Sequence, residues 1–360
     1  MFDQRGGKLM KKRGLLSLVF ILLFLFSFSG TFTSATAEGE TLNLSFAHIF
    51  PASHYQATIV YKLYIEEVEK ASKGYLKINL FPVNTLLKSE EMYDGAVSGT
   101  ADIVSSSIGY TRGRFPVMEG FELPGIYFGS ATATVAGAWE GYKKFRPKEY
   151  SDTKVLWLFS AGPGCLYTKK KVTSLAELKG MRIRATGSTA KSIQALGAVP
   201  VAMPMADVYE ALAKGVVEGQ IAPPEVLKGW KQAEVTKYIT VLPPVYNSVM
   251  YTVMNLKKWN SLPGDVQIAI DAINEGFSVR AAQIWDSQQV TGGIEYGIKE
   301  HGMEIVRWSD ADMQQAMALM QPLLDEYVAR MNEKGLPGQE ILDFVIERAA
   351  VNSKKYPPAY

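Results

Sequence analysis

The sequence YDGAVSGTADI at residues 93–103 has a close echo in YEALAKGVVEG at residues 209–219. Each copy predicts a helix, a glycine that closes it and a short strand, because glycine readily adopts the left-handed conformation that ends many helices. A similar pair of segments precedes the two copies, KGYLKI at residues 73–78 and KGMRIR at residues 179–184. The matching order and near-equal spacing predict two related α/β lobes.

Further secondary structure extends outward from this repeat. Residues 41–47 alternate polar and apolar side chains like a strand, and residues 51–72 place apolar side chains at helical spacing. Residues 263–287 predict one long helix, since apolar positions recur at intervals of three and four residues without an internal proline. Such a helix would be about 37 Å long, enough to brace both lobes. Residues 310–334 and 337–354 predict two more helices, the first kinked or restarted at Pro322.

The predicted architecture is an α/β fold of two lobes with a cleft between them. Ligands of such proteins bind at the carboxyl ends of the strands, where loops converge. The predicted boundaries are residues 38–163 with a return segment at about 246–270 for lobe I, and residues 164–245 with C-terminal helices at about 271–360 for lobe II.

The N-terminal residues 1–37 predict a cleavable signal peptide. A basic head precedes an apolar run from Leu15 to Phe26, and Ala35-Thr36-Ala37 is a typical cleavage site. The alternative is an uncleaved anchor, although the run is shorter than the ~20 residues that a membrane span needs. The rest of the chain is therefore interpreted as an exported protein.

Composition excludes several classes of function. The net charge is +2 without a basic stripe, which argues against nucleic acid as a partner. Cys165 is the only cysteine, so the chain has no internal disulfide and Cys165 is expected to be a buried apolar residue. The chain has three histidines, no HExxH, no Walker loop and no GxGxxG, so we predict neither a metal nor a cofactor.

Two groups of residues could carry chemistry. His48 and His54 follow a predicted strand and could meet Ser105, Ser106 and Ser107, as a Ser–His hydrolase would require. These three adjacent serine hydroxyls are better interpreted as a set of hydrogen-bonding groups than as one activated nucleophile. Arg184 ends a predicted strand, and its planar guanidinium matches a carboxylate with two parallel hydrogen bonds. An exposed surface salt bridge is the alternative for Arg184.

Several segments together resemble the DctP-type solute-binding proteins of TRAP (tripartite ATP-independent periplasmic) transporters. The resemblance covers the whole chain after the signal peptide, and its motifs occur in family order. They lie at residues 47–48, 121–124, 178–184, 195–204, 208–212, 215–220 and 259–263.

This resemblance implies a periplasmic-binding-protein-like fold whose two lobes close around an organic acid. It implies that Arg184 pairs with the ligand carboxylate, and that the loaded protein delivers its solute from the periplasm to the membrane subunits of a TRAP permease. We predict a monomer that catalyses no reaction. His48, Ser105, Ser106, Ser107 and Gln220 are secondary candidate contacts, because they lie at predicted strand ends that face the cleft.

The chain departs from the family pattern at two places that favour an apolar ligand body. Ala222 stands where an asparagine commonly helps to hold the acid, and residues 243–246 are Pro-Pro-Val-Tyr where a polar residue is common. A second ligand carboxylate without partners would be costly to desolvate, so we predict a monocarboxylate with an apolar or aromatic body. Candidate walls are Phe50, Tyr110 and Tyr246, with Tyr55, Phe121 and Trp230 as further candidates.

Two other functions remain open from the sequence. A sensor subunit would bind the same ligand but signal to a membrane receptor. A secreted hydrolase would use the Ser–His pair and turn over esters.

Overall fold

The computed structural model of the chain describes residues 41–358, with residues 243, 290 and 291 described by their backbone only. The predicted signal peptide, residues 1–37, lies outside the described residues. No helix within residues 41–358 combines the length and apolar character needed to cross a membrane.

The described residues form eleven strands and thirteen α-helices, joined by short 3₁₀ and π segments. The strands are β1 Leu42–His48, β2 Leu76–Phe81, β3 Ile103–Ser107, β4 Thr153–Phe159, β5 Cys165–Thr168, β6 Arg182–Arg184, β7 Val199–Val201, β8 Gly219–Ala222, β9 Tyr238–Val241, β10 Met250–Asn255 and β11 Glu304–Val306. The helices are α1 Lys62–Ala71, α2 Met92–Ser98, α3 Ala131–Phe145, α4 Leu175–Leu178, α5 Gly187–Ala195, α6 Met205–Ala213, α7 Val226–Gly229, α8 Leu256–Asn260, α9 Gly264–Gln289, α10 Tyr296–His301, α11 Asp310–Met320, α12 Pro322–Glu333 and α13 Gly338–Lys355.

The strands form two sheets of related topology. The first has the order β2-β1-β3-β10-β4, in which β1 is parallel to β2 and β3 while β10 is antiparallel to β3 and β4. The second has the order β7-β6-β8-β5-β9-β11, with β6 parallel to β7 and β8 and with β5 antiparallel to β8 and β9. Each sheet therefore has three parallel strands followed by one strand of opposite direction. We call each sheet with the helices packed on it the first or second lobe, and the predicted two-lobed α/β fold is confirmed.

The repeated sequence has the same structural role in both lobes. Helices α2 and α6 are followed by Gly99 and Gly215, whose φ angles of 81° and 72° lie in the left-handed region. The acidic residue after each glycine then ties two parallel strands together. Asp102 accepts hydrogen bonds from the backbone N–H and hydroxyl of Ser45, and Glu218 accepts one from the backbone N–H of Arg182.

The predicted brace is a composite of two helices. Helix α9 has 26 residues and packs against α1, α3 and β4 of the first lobe. A π-helical segment, Val290–Glu295, then leads directly into α10, which contacts α7 of the second lobe. The rod that connects the lobes is therefore residues 264–301, longer than the sequence pattern indicated.

The assignment of residues 271–360 to the second lobe requires a correction. Most of α9, together with α12 and α13, packs on the first lobe, where Phe277, Tyr327 and Ile341 are core residues. Helix α11 does join the second lobe through Ala316 and Met320. An amphipathic helix shows from sequence that it buries a face, but it does not show against which surface. The restart at Pro322 occurs as predicted, since α11 ends at Met320 and α12 begins at Pro322.

Candidate functional site

A cavity lies where the carboxyl ends of the parallel strands of the two lobes meet. Residues just after β1, β3, β6 and β8 line it, together with the segment that leads from the second sheet back to β10. Its apolar and aromatic lining consists of Ile49, Phe50, Tyr110, Met205, Pro223, Trp230, Tyr246 and Met250. Its polar lining consists of Ser107, Glu122, Arg184, Thr186, Thr189, Glu225, Asn247 and Ser248.

Arg184 is the permanent cation of this cavity lining. Only 2% of its surface is exposed, and its Nε and Nη2 donate hydrogen bonds to the carbonyl oxygen of Met203 at 3.0 and 2.9 Å. Within residues 41–358, no carboxylate lies within ion-pair distance of its guanidinium. A buried guanidinium without a counter-ion is unfavourable unless an anion completes the site. Arg184 is thus oriented by one carbonyl oxygen and has no carboxylate partner among the described residues.

The predicted aromatic walls divide into two groups. Phe50, Tyr110, Trp230 and Tyr246 line the cavity. Tyr55 and Phe121 do not: the Tyr55 ring stacks on His54 with centroids 4.6 Å apart, while Phe121 is fully buried in the first core. Four aromatic side chains therefore line the cavity.

The three predicted serines lie at different depths. Ser107 lines the cavity, and its Oγ accepts a hydrogen bond from the backbone N–H of Gly109 at 3.2 Å. Ser105 donates to the carbonyl oxygen of Tyr251 at 3.0 Å, and Ser106 donates to the carbonyl oxygen of Ser89 at 3.3 Å. Both bonds lie within the first lobe, behind the cavity.

His48 and Gln220 are fully buried and lie outside the cavity lining. The Nδ1 of His48 accepts a hydrogen bond from the backbone N–H of Phe50 at 3.3 Å. Burial, together with the nearby His54, lowers the pKa of His48 to about 3, so its ring stays neutral. Gln220 stands beside Arg184 in the register of β6 and β8, and its side-chain amide has no hydrogen-bond partner among the described residues.

Glu122 and Asn247 line the cavity although the sequence analysis did not select them as site residues. Glu122 ends the 3₁₀ segment Met118–Glu122, and its Oε1 accepts a hydrogen bond from the backbone N–H of Val249 at 2.8 Å. Asn247 donates from Nδ2 to the carbonyl oxygen of Ile126 at 2.8 Å, while its Oδ1 has no partner within residues 41–358. Neither residue ends a strand, so the strand-end criterion could not identify them. The available signal was the position of Glu122 inside a segment that resembles the family.

Among the hydrogen bonds that join the lobes around the cavity, three involve side chains that follow strands or open helices near it. The Tyr110 hydroxyl accepts from the backbone N–H of Met205 at 3.0 Å, at the first residue of α6. The Ser188 hydroxyl donates to Glu119 Oε1 at 3.1 Å. His54, after β1, and Glu225, after β8, form the third contact, with 2.7 Å between Nε2 and Oε2.

The His54–Glu225 contact has a defined direction. The Nδ1 of His54 accepts a hydrogen bond from the backbone N–H of Gln56 at 3.0 Å, so the ring proton is on Nε2 and Glu225 is the acceptor. Both side chains are at least 97% buried. Removing one partner of such a buried pair is costly, because the other polar group is then left without a hydrogen bond.

We expect Glu225→Leu to lower the free energy of unfolding by about 1–3 kcal/mol, because it leaves the His54 N–H without an acceptor. Glu225→Gln keeps an acceptor oxygen and should lose less. Urea unfolding of the two variants checks this, and equal losses would show that the hydrogen bond between His54 and residue 225 contributes little to stability.

Comparison with known proteins decides the family. The model of the DctP family, described as bacterial extracellular solute-binding proteins of family 7, matches residues 46–331. The chain belongs to the DctP family. Among curated relatives of this DctP-family chain is the 2,3-diketo-L-gulonate-binding periplasmic protein YiaO of Escherichia coli strain K12. It is 28% identical over 254 residues, covering 69% of this chain and 76% of the relative.

Solved structures of TRAP solute-binding proteins have the same fold as this DctP-family chain. A TRAP solute-binding protein from Rhodoferax ferrireducens, in complex with copurified benzoate, has a TM-score of 0.81 at 29% identity, covering 88% of this chain and 99% of that one. A marine metagenome TRAP solute-binding protein specific for aromatic acids, in complex with 3-hydroxybenzoate, has a TM-score of 0.82 at 30% identity, covering 87% and 99% of the two chains. The DctP-family chain is thus a TRAP-type solute-binding protein, of a periplasmic family whose members bind organic acids.

Proposed function

We propose that this protein captures a monocarboxylate with an apolar or aromatic body and delivers it to the membrane subunits of a TRAP permease. Arg184 is the ionic anchor that pairs with the ligand carboxylate. The observation that carries the proposal is a buried guanidinium in the interlobe cavity with no carboxylate partner among the described residues. Four aromatic side chains in the same lining supply the contacts for an apolar body.

The ligands of similar proteins support this ligand class. The structures named above hold benzoate and 3-hydroxybenzoate, each a single carboxylate on an aromatic ring. Glu225 and Glu122 are the carboxyl groups of the lining, and Arg184 is its permanent cation. A ligand with two carboxylates would leave one of its charges without a cationic partner in this lining.

The secreted hydrolase is less well supported by the geometry. Ser105 and Ser106 donate their hydroxyl protons to backbone carbonyls, and Ser107 caps the turn at Gly109. His48 accepts from a backbone N–H through Nδ1, and no hydrogen bond between His48 and these serines is present within residues 41–358. A general base must be within hydrogen-bond reach of its nucleophile. We therefore propose a binding protein without catalysis.

The proposal is tested by ligand-induced stabilisation of residues 38–360, which begin at the proposed signal-peptide cleavage site. Benzoate, 3-hydroxybenzoate and mandelate should raise the Tm in proportion to their affinity, since a ligand that binds only the folded state stabilises it by mass action. Incubation with the corresponding methyl esters should give no hydrolysis. An absence of Tm shifts across the panel of acids, or ester turnover above background, would contradict the proposed function.

Selectivity for a monocarboxylate gives a separate prediction. We expect succinate and malate to bind at least about tenfold more weakly than benzoate, because their second carboxylate must lose its hydration without an ionic partner. Isothermal titration calorimetry at neutral pH measures the ratio. Tighter binding of either C4-dicarboxylate would show that the cleft compensates two charges.

A further inference from the structure

Glu122 is a buried carboxyl group in the cavity wall, and only one of its two oxygens is satisfied. It is 4% exposed, and Oε1 accepts the hydrogen bond from the backbone N–H of Val249. Within residues 41–358, Oε2 has no hydrogen-bond partner and Glu122 forms no ion pair. Glu122 lines the cavity, and one oxygen of its carboxyl group has no hydrogen-bond partner among the described residues.

Two neighbouring carboxyl groups have more partners than Glu122, although burial also raises the pKa of Glu149, to about 7. Glu119, one turn earlier, makes two hydrogen bonds with the guanidinium of Arg330, at 2.7 and 2.9 Å. Glu149 receives the backbone N–H groups of Val117 and Met118 on its two oxygens, at 2.9 and 3.0 Å. Glu122 has neither a cation nor a second donor.

A buried carboxyl group with this environment is more stable as the neutral acid. Placing an unpaired negative charge in a poorly solvated site is costly, and the group takes up a proton instead. Burial raises the pKa of Glu122 to about 8; the bond from Val249 opposes this rise and the charge of Glu119 adds to it. At neutral pH the Oε2 atom can therefore carry a proton and donate a hydrogen bond.

Charged and titratable groups face Glu122 from two sides. On the side of the interlobe cavity they are Arg184, Glu225, Tyr110 and Tyr246. On the other side a groove between the lobes is lined by Arg112, Glu119, Lys191 and Arg330. Since Glu122 forms no ion pair with the three cations of the groove, none of them compensates a charge on Glu122 directly.

We propose that Glu122 is a second ligand-binding group of the cleft, a neutral carboxylic acid whose Oε2–H donates a hydrogen bond to an oxygen of the bound organic acid. This proposal rests on the proposed function and names the chemistry that accompanies Arg184. Arg184 compensates the single negative charge of the ligand, and Glu122 adds a hydrogen bond only while it is protonated. The cleft therefore selects monoanions by charge as well as by its aromatic walls.

The pH dependence of binding follows from this arrangement. An anionic oxygen that accepts from Oε2–H stabilises the protonated form, so the pKa of Glu122 rises further in the complex. Affinity is then complete below the pKa of the free protein and is lost as the pH rises above it, because ionised Glu122 repels the ligand. A difference of one unit between the free and bound pKa corresponds to a change of about tenfold in affinity.

The test is a calorimetric titration with benzoate between about pH 6 and about pH 9.5, a range in which its carboxylate stays ionised. The chain without its predicted signal peptide should bind benzoate with constant affinity up to about pH 7 and at least about tenfold more weakly at the upper end. Glu122→Gln keeps both an acceptor for Val249 N–H and a donor toward the ligand, but it cannot ionise, so its profile should be flat. Glu149→Gln removes a buried carboxyl group outside the cavity. Its affinity for benzoate should depend on pH in the same way as that of the unsubstituted chain.

The outcomes separate this inference from the proposed function. A flat profile in the unsubstituted chain, or an equal slope in Glu122→Gln, would overturn the role of Glu122 while leaving binding through Arg184 intact. Loss of the slope in Glu149→Gln would also overturn it, since the titrating group would then lie outside the cleft. If benzoate and the other monocarboxylates fail to bind at any pH, both the proposed function and this inference are wrong. If a variant does not fold, the pH dependence of benzoate affinity in the unsubstituted chain still tests the role of Glu122.

Discussion

Arg184→Ala is expected to weaken binding of benzoate or a related acid by more than about a hundredfold. Two charge-assisted hydrogen bonds of about 1.5–3 kcal/mol each would be lost, and the ligand carboxylate would remain buried without a cation. The fold should persist, because the described hydrogen bonds of the Arg184 side chain are those to Met203. Calorimetry measures the affinity, and thermal unfolding without ligand checks the fold.

Two substitutions sharpen the Arg184 prediction. Arg184→Lys should also bind weakly, since an ammonium group cannot reproduce the planar fork of donors. Arg182→Ala is the matched control: Arg182 lies in the same strand but is exposed, and its side chain bonds the carbonyl oxygen of Gly215. Its removal should leave affinity unchanged. Near-normal binding by Arg184→Ala would refute the ionic anchor.

Trp285→Ala is expected to lower the free energy of unfolding by about 3–5 kcal/mol, the usual cost of removing a large buried aromatic side chain. Trp285 lies in α9 and is 1% exposed. Its Nε1 donates to the carbonyl oxygen of Ala161, in the segment that crosses between the sheets, and its ring packs near Phe50, Tyr55 and Phe159. The substitution therefore opens a cavity where the brace meets this crossing.

Ile268 supplies the control for this measurement. It belongs to the same helix but is 73% exposed, so Ile268→Ala should change the free energy of unfolding by less than about 0.5 kcal/mol. Urea unfolding of both variants under the same conditions gives the comparison. Equal effects at the two positions would mean that the packing of Trp285 contributes little to stability.

The sequence predicted those parts of the fold that depend on local chemistry. The left-handed glycines Gly99 and Gly215 and the restart at Pro322 follow from backbone preferences that act within a few residues. The attachment of α12 and α13 to the first lobe was not predictable, because amphipathic spacing is compatible with any apolar surface. The length of the brace was underestimated for a related reason: its π-helical segment contains two glycines, which do not favour a continuing helix.

The candidate site shows the same limit. Arg184 and Ser107 were found because cavities in α/β folds form at the carboxyl ends of strands. His48 satisfies the same criterion but turns into the core, and a position in sequence does not reveal the direction of a side chain at a strand end. Glu122 enters the cavity from a 3₁₀ segment that packs between the lobes, so only the tertiary structure brings it there.

The most direct test of the central claim is a crystal structure of residues 38–360 with the tightest-binding acid among benzoate, 3-hydroxybenzoate and mandelate. We predict that the ligand lies between the two lobes, with its carboxylate oxygens about 2.7–2.9 Å from the guanidinium nitrogens of Arg184. A complex in which that carboxylate is held elsewhere, with Arg184 still bonded only to Met203, would contradict the account.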